Sequence, residues 1–121
     1  MVSEHITFKN TNIGTDAKLQ AYATEKLASL DKFVGSASDV RVEVEFERMV
    51  SHKSGPICRA EVNVFVGGSV YRSEVTEMTF EAAVDVAKDE LTHEISRAHE
   101  KRNSLFKRGG RKIKEFLRFG N

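Results

Sequence analysis

In Val40-Arg41-Val42-Glu43-Val44-Glu45-Phe46-Glu47-Arg48, apolar and charged side chains alternate without a break. That period of two marks a strand with one face in a core and the other in water. A second run, Cys58 to Val66, puts Cys58, Ala60, Val62, Val64 and Val66 on its inner face. The loop Val50-Ser51-His52-Lys53-Ser54-Gly55-Pro56 separates the two runs, and Gly67-Gly68-Ser69 reads as a tight hairpin turn into a last strand, Val70 to about Val75. The pattern leaves open which face of that last strand is buried. Near the N-terminus, Ile6-Thr7-Phe8-Lys9 is a shorter strand with Ile6 and Phe8 on one side.

Two stretches carry the helical period instead. After the turn residues Asn10 to Gly14, Thr15 or Asp16 can cap a helix from about Ala17 to Phe33. Leu19, Ala23, Leu27, Leu30 and Val34 form its apolar stripe, with Tyr22, Lys26 and Phe33 at the edge. Gly35 is expected to end it, and Ser36-Ala37-Ser38 to form a loop. Thr79 is the expected N-cap of a long second helix, on which Phe80, Val84, Ala87, Leu91, Ile95 and Ala98 share one face. Gly109-Gly110 is expected to break this helix, leaving a piece of about nine residues, Arg111 to Phe119, too short to be stable alone.

The order is β-α-β-β-β-α, an α+β fold. The economical packing is a four-stranded, half-buried sheet with both helices on one face. A right-handed crossover makes the first two strands parallel. With 121 residues the chain is one domain of ordinary size. Residues 1–102 form the folded body and residues 103–121 a basic C-terminal extension.

Charge is sorted along the chain. Residues 97–121 carry nine Lys or Arg against two acids, a net +7, whereas residues 1–96 carry −6. The cations of the positive end are Arg97, Lys101, Arg102, Lys107, Arg108, Arg111, Lys112, Lys114 and Arg118. A dense cationic end points to a polyanionic partner, because clustered Lys and Arg displace counterions from phosphates. The outer sheet face, with Arg41, Glu43, Glu45, Glu47, Arg59 and Glu61, is mixed to acidic and is not expected to meet nucleic acid.

Residues for catalysis are sparse, and the chain reads as a non-enzyme without cofactor or metal. His93 and His99 are six apart, so they do not make an i, i+4 metal pair. Cys58 alternates in phase with core valines and reads as a small buried apolar residue. Neither a G-x-x-x-x-G-K-[ST] loop nor a G-x-G-x-x-G turn occurs. Met1 to His5 does not open a signal peptide, no apolar run approaches the roughly 20 residues that span a bilayer, and the single cysteine fits a reducing compartment. A cytoplasmic protein, monomeric when free, is the expectation.

Two segments together carry a family likeness. Ile13-Gly14-Thr15-Asp16-Ala17-Lys18-Leu19, Tyr22, and Lys26-Leu27-Ala28-Ser29-Leu30-Asp31-Lys32-Phe33 resemble the first helix of the ribosome hibernation-promoting factors. These are also called ribosome-associated inhibitor A or sigma-54 modulation proteins. Lys26, Leu27, Leu30 and Lys32 match that family's K-L-x-K-L-x-K pattern, with Ser29 where Lys is common. Ala83-Val84-Asp85 matches its A-[IV]-D opening of the second helix, followed by Leu91, Ile95, Arg97, Glu100 and Lys101. Glu94 replaces a Gln, His99 stands where Lys is usual, and the aromatic before the opening is shifted to Phe80. The likeness covers about residues 5–102.

The resemblance implies a domain similar to double-stranded-RNA-binding folds. It also implies binding to small-subunit ribosomal RNA in the mRNA and tRNA channel, which silences and protects idle ribosomes in stress and stationary phase. It carries Lys26, Lys32, Arg97 and Lys101 over as rRNA-facing residues. Lys18 adds to them because Lys18, Glu25 and Lys32 recur every seven residues, and Arg102 with the later cations adds by charge. Long relatives have a second domain that pairs ribosomes; this chain ends at Asn121 and is expected not to pair them alone. Aromatics among the cations of 105–119 can stack on unpaired bases. Two other readings stay open: a general RNA or DNA binder, and an amphipathic module using Phe106, Ile113, Phe116, Leu117 and Phe119 on a membrane or in a protein groove.

Overall fold

The computed structural model describes residues 2–34, 39–50 and 55–119, with side chains as far as residue 101. Four strands, β1 (Ile6–Thr11), β2 (Val40–Arg48), β3 (Cys58–Val66) and β4 (Ser69–Glu77), form one sheet in the order β1-β2-β3-β4. β1 runs parallel to β2, and the other two pairs are antiparallel. The helices α1 (Ala17–Ala28), α2 (Asp31–Val34) and α3 (Phe80–Phe119) complete the order expected from the alternation.

The period of two sets the core. Val42 pairs with Val64, Val44 with Val62 and Phe46 with Ala60 across β2 and β3, and all six are buried. Leu19, Ala23 and Leu27 of α1 and Phe80, Ala83, Val84, Ala87, Leu91 and Ile95 of α3 close over them. Phe46 stacks on Phe8 of β1, centroids 6.0 Å apart, and meets Phe80 edge-on at 5.5 Å. The inner face of β4 is Ser73 and Val75, with Tyr71 half-buried. The Ser73 hydroxyl donates to Glu90 Oε2 at 2.5 Å, so burial leaves it satisfied. Between β3 and β4 the turn is two residues, Gly67-Gly68, and Gly67 takes φ +58°, a conformation that costs glycine little.

Both helix starts are capped by the expected residues. Asp16 accepts from the Leu19 N–H at 3.1 Å, and Thr79 Oγ1 accepts from the Ala82 N–H at 3.1 Å. The first helix, expected to be continuous to Phe33, is divided. The Ser29 hydroxyl donates to the Lys26 carbonyl at 2.7 Å and Leu30 N–H bonds the Leu27 carbonyl at 3.0 Å, a tighter i to i−3 turn that ends α1 before Asp31 starts α2. β1 runs on to Thr11, whose hydroxyl donates to Glu45 of β2 at 2.8 Å, and ends where Asn12 turns to φ 60°. Val2 in a 3₁₀ turn, Val2–Glu4, is fully buried, and its N–H donates to Asp31 Oδ1 at 2.6 Å. This core residue lies ahead of any periodic pattern.

The other correction concerns Gly109-Gly110, which do not break the second helix: α3 continues to Phe119. Glycine lowers helical stability by about 1 kcal/mol each but removes no hydrogen bond, and Lys, Arg, Glu and Leu on either side favour helix. At 40 residues α3 is about 60 Å long. Gly35, the loop 36–38 and residues 51–54 of the loop before β3 lie outside the described residues.

Candidate nucleic-acid interface

α1 and α3 lie side by side and run the same way. Tyr22 Oη donates to Asp85 Oδ1 at 2.7 Å, and further along, Phe33 and Val34 line a small cavity of about 50 Å³ with Ile95 and His99. Asp85 holds the Tyr22 hydroxyl protonated, chiefly by that hydrogen bond, and pushes its pKa up to about 12. In an absorbance titration one tyrosine should therefore ionise about two units above the ordinary 10, and Tyr22→Phe should remove that late phase. A variant profile that keeps the late phase would mean that Tyr22 and Asp85 do not pair.

On this side of α3 stand the first three expected cations. Lys18 is exposed in the first turn of α1. The Lys26 ammonium lies over the Tyr22 ring at 5.5 Å, and that of Lys32 over the Phe33 ring at 5.3 Å. These rings brace the lysine stems while the charged ends reach water. Because Ser29 and Leu30 divide the helix, Lys18 and Lys32 stand on separate helices rather than on one seven-residue repeat.

Arg97 and Lys101 are exposed on the other flank of α3, toward edge strand β4. Arg97 lines a recess of about 490 Å³ with Arg72, Glu90, His93 and Glu94. Next to it, a recess of about 380 Å³ is lined by Val70, Tyr71, Glu94, Arg97, Ala98 and Lys101. The five body cations thus fall into two groups, one on each side of α3. Two residues beside Arg97, Arg72 and His93, are not among the nucleic-acid contacts expected from the sequence. The i, i+4, i+8 spacing of His93, Arg97 and Lys101 was the available signal.

Charge also changes along α3. Glu81, Asp85, Asp89, Glu90 and Glu94 precede the cationic stretch that starts at Arg97, and Glu81, in the first turn, complements the helix dipole. The side chains of Arg102, Lys107, Arg108, Arg111, Lys112, Lys114 and Arg118 lie outside the described residues, although their backbone belongs to α3.

The cations of the open sheet face are held in its own ion pairs, and the face stays net acidic. The Arg59 guanidinium pairs with Glu45 at 3.4 Å, Glu47 at 3.1 Å, Glu74 at 2.9 Å and also Glu61, while Arg72 pairs with Glu61 at 3.2 Å and Glu74 at 3.1 Å. Glu74, through its hydrogen bond to Arg59, heads the causes that raise the Arg59 pKa. In turn Arg59 lowers that of Glu74, and the Thr11 hydroxyl, then Arg59, lower that of Glu45. Both carboxyls bind protons less readily folded than unfolded. Their contribution is therefore complete above the ordinary value near 4.5 and is lost as pH falls through the lower folded values. The urea midpoint should drop between pH 5 and about pH 3, and Arg59→Gln should shrink that drop; an equal drop in both proteins would contradict the linkage.

Cys58 is buried, with its thiol 3.5 Å from the Met78 carbonyl oxygen. Among the described residues no group of three or more His, Cys, Asp or Glu is placed to hold a metal ion, and no helix is long and apolar enough to cross a membrane.

The chain matches the model of a family described as Sigma 54 modulation protein / S30EA ribosomal protein over residues 5–103. Among solved structures it is similar to the Protein Y N-terminal domain of Thermus thermophilus, with 24% identity over 80% of this chain and 98% of that one and a TM-score of 0.64. It is also similar to a ribosomal subunit interface protein from Coxiella burnetii, with 14% identity over 79% and 98% of the two chains and a TM-score of 0.65. At these identities the two structures establish a shared fold. No curated protein matches the chain.

Proposed function

We propose, from the premise that this chain belongs to the sigma 54 modulation protein / S30EA ribosomal protein family, that it binds the small ribosomal subunit and keeps mRNA and tRNA out of their channel. Membership bears out the resemblance read from the two helices, and the family is ribosome-associated. The observation that carries the finer reading is the separation of charge. The sheet face is occupied with its own ion pairs, whereas Lys18, Lys26, Lys32, Arg97 and Lys101 project from the helix layer and α3 leads on into the cationic extension.

Such cations contact phosphates and position a protein by the shape of folded RNA rather than by its sequence. Residues 1–102 act as the docking body, and Arg102 with the cations of 103–121 as an additional contact. A monomer filling the channel stops initiation and shields the decoding region of an idle, cytoplasmic ribosome. No group transfer is required of it, so the protein acts by occupancy and not as an enzyme.

The test is co-sedimentation with purified small subunits over a salt series, with generic double-stranded RNA as competitor. Saturable one-to-one binding that survives the competitor is expected. Six phosphate contacts would give a log–log salt slope of about −5. Binding abolished by the competitor would make the chain a general RNA binder and remove the ribosomal site.

A further inference from the structure

The seam where α1 and α2 meet α3 changes character along its length. At the α1 end, polar groups answer each other. Tyr22 donates to Asp85, and the Asp89 carboxyl is held below its ordinary range chiefly by a hydrogen bond from Lys88, with Lys26 adding to it from α1. At the α2 end the cations lack such partners. Phe33 and Val34 of α2 share the small cavity with Ile95 and His99 of α3. Phe33 links two cationic groups: its ring lies under the Lys32 ammonium, and it lines the cavity that the exposed His99 borders. Among the described residues neither Lys32 nor His99 makes an ion pair.

We propose that Lys32 and His99 together hold one RNA phosphate at this end of the seam, so that binding takes up a proton at His99. The proposal rests on the ribosomal reading for its partner and gives that interface a regulation: occupancy rises as the surroundings acidify. An imidazole gains its charge between about pH 5 and 8, where Lys and Arg are already charged. A phosphate stabilises the imidazolium and not the neutral ring, so protonation and binding favour each other by the same factor. The groups around His99 leave room for this. Lys32 is the cation of α2, while Asp31, its acid, accepts from the Val2 N–H. The strands contribute Val66 of β3 and Tyr71 of β4. On α3, Glu100 is offset from His99 by about 100° around the helix, and Arg97 and Lys101 lie on the other flank. His93 is placed differently: it stands beside Glu90 and Glu94 as well as Arg97, and those carboxylates repel a phosphate.

The test uses the full chain at pH 6 and pH 8 over a salt series. Small subunits are followed by co-sedimentation, and a fluorescently labelled generic double-stranded RNA by anisotropy. The wild-type chain should bind subunits about fivefold more tightly at pH 6, with a log–log salt slope steeper by about 1. His99→Asn should bind at both pH values as the wild type does at pH 8, and His99→Lys as it does at pH 6. Both changes fall at an exposed position, so the fold should survive. His93→Asn should keep the wild-type pH dependence. A dependence that persists in His99→Asn, or that His93→Asn removes, would overturn the proton link. Subunit binding with equal affinity at both pH values would leave the ribosomal reading standing and sink the link. If subunits do not bind, yet the duplex shows a pH shift that His99→Asn abolishes, the ribosomal reading falls and the link stands. Binding to neither RNA would remove both.

Discussion

Replacing Phe46 with Ala is expected to lower the free energy of unfolding by about 3–5 kcal/mol, the usual loss when a buried Phe is truncated. Phe46 is fully buried, and its ring touches Phe8 on one side and Phe80 on the other. It therefore joins the parallel edge strand, the centre of the sheet and the first turn of α3. The cavity left by the ring cannot close without moving one of these three. Since domains of this size are stable by only about 5–15 kcal/mol, the variant should be partly unfolded under mild denaturant. Urea unfolding should show a large fall in midpoint with an unchanged slope. Phe46→Leu, which keeps most of the volume, should lose less than about 1.5 kcal/mol. A wild-type midpoint in Phe46→Ala would refute the packing described here.

Ending the chain after Arg102 should weaken its binding to small subunits by about a hundredfold at moderate salt and flatten the salt dependence. The deleted segment holds Lys107, Arg108, Arg111, Lys112, Lys114 and Arg118 against Glu115 alone. If half of these six cations meet phosphates, the log–log slope should fall by about 2 to 3. The fold should survive, because among the described residues the last buried side chain of α3 is Ile95. Circular dichroism on the truncated chain would establish that, and the salt series would then report the extension. Full affinity with an unaltered slope would place the interface wholly on the body.

Residues with a strict period were legible in the sequence, and residues defined by a neighbour were not. Val42, Val44, Phe46, Val62 and Val64 declare their face by alternation, and Leu91 and Ile95 by helical spacing, so sheet, helices and core followed. Val2 has no periodic partner; its burial depends on Asp31, 29 positions away, accepting its N–H. Ser29 looks like an ordinary helical residue until its hydroxyl is seen on the Lys26 carbonyl. Lys26, Lys32, Arg97 and Lys101 were each readable as outward cations. Their division into two groups depends on which flank of α3 receives α1, and the Tyr22–Asp85 bond reveals it. The glycine pair at 109 and 110 was read as a stop because propensity is a local quantity, whereas helix continuation is cooperative over many residues.

The uninterrupted α3 also changes how body and extension act together. From Ile95 to Phe119 the backbone advances by about 36 Å as helix. A flexible chain of 24 residues would have a root-mean-square span of about 27 Å, spread over all directions. A helical strut instead delivers the second set of contacts to one place. Once the body has docked, the second engagement is unimolecular, and its effective concentration depends on whether the target lies on the helix axis. An RNA surface on that axis gains avidity beyond the sum of two weak contacts. One placed a few ångströms off the axis gains little, so the strut itself becomes a source of selectivity among polyanions that the cations alone would not distinguish.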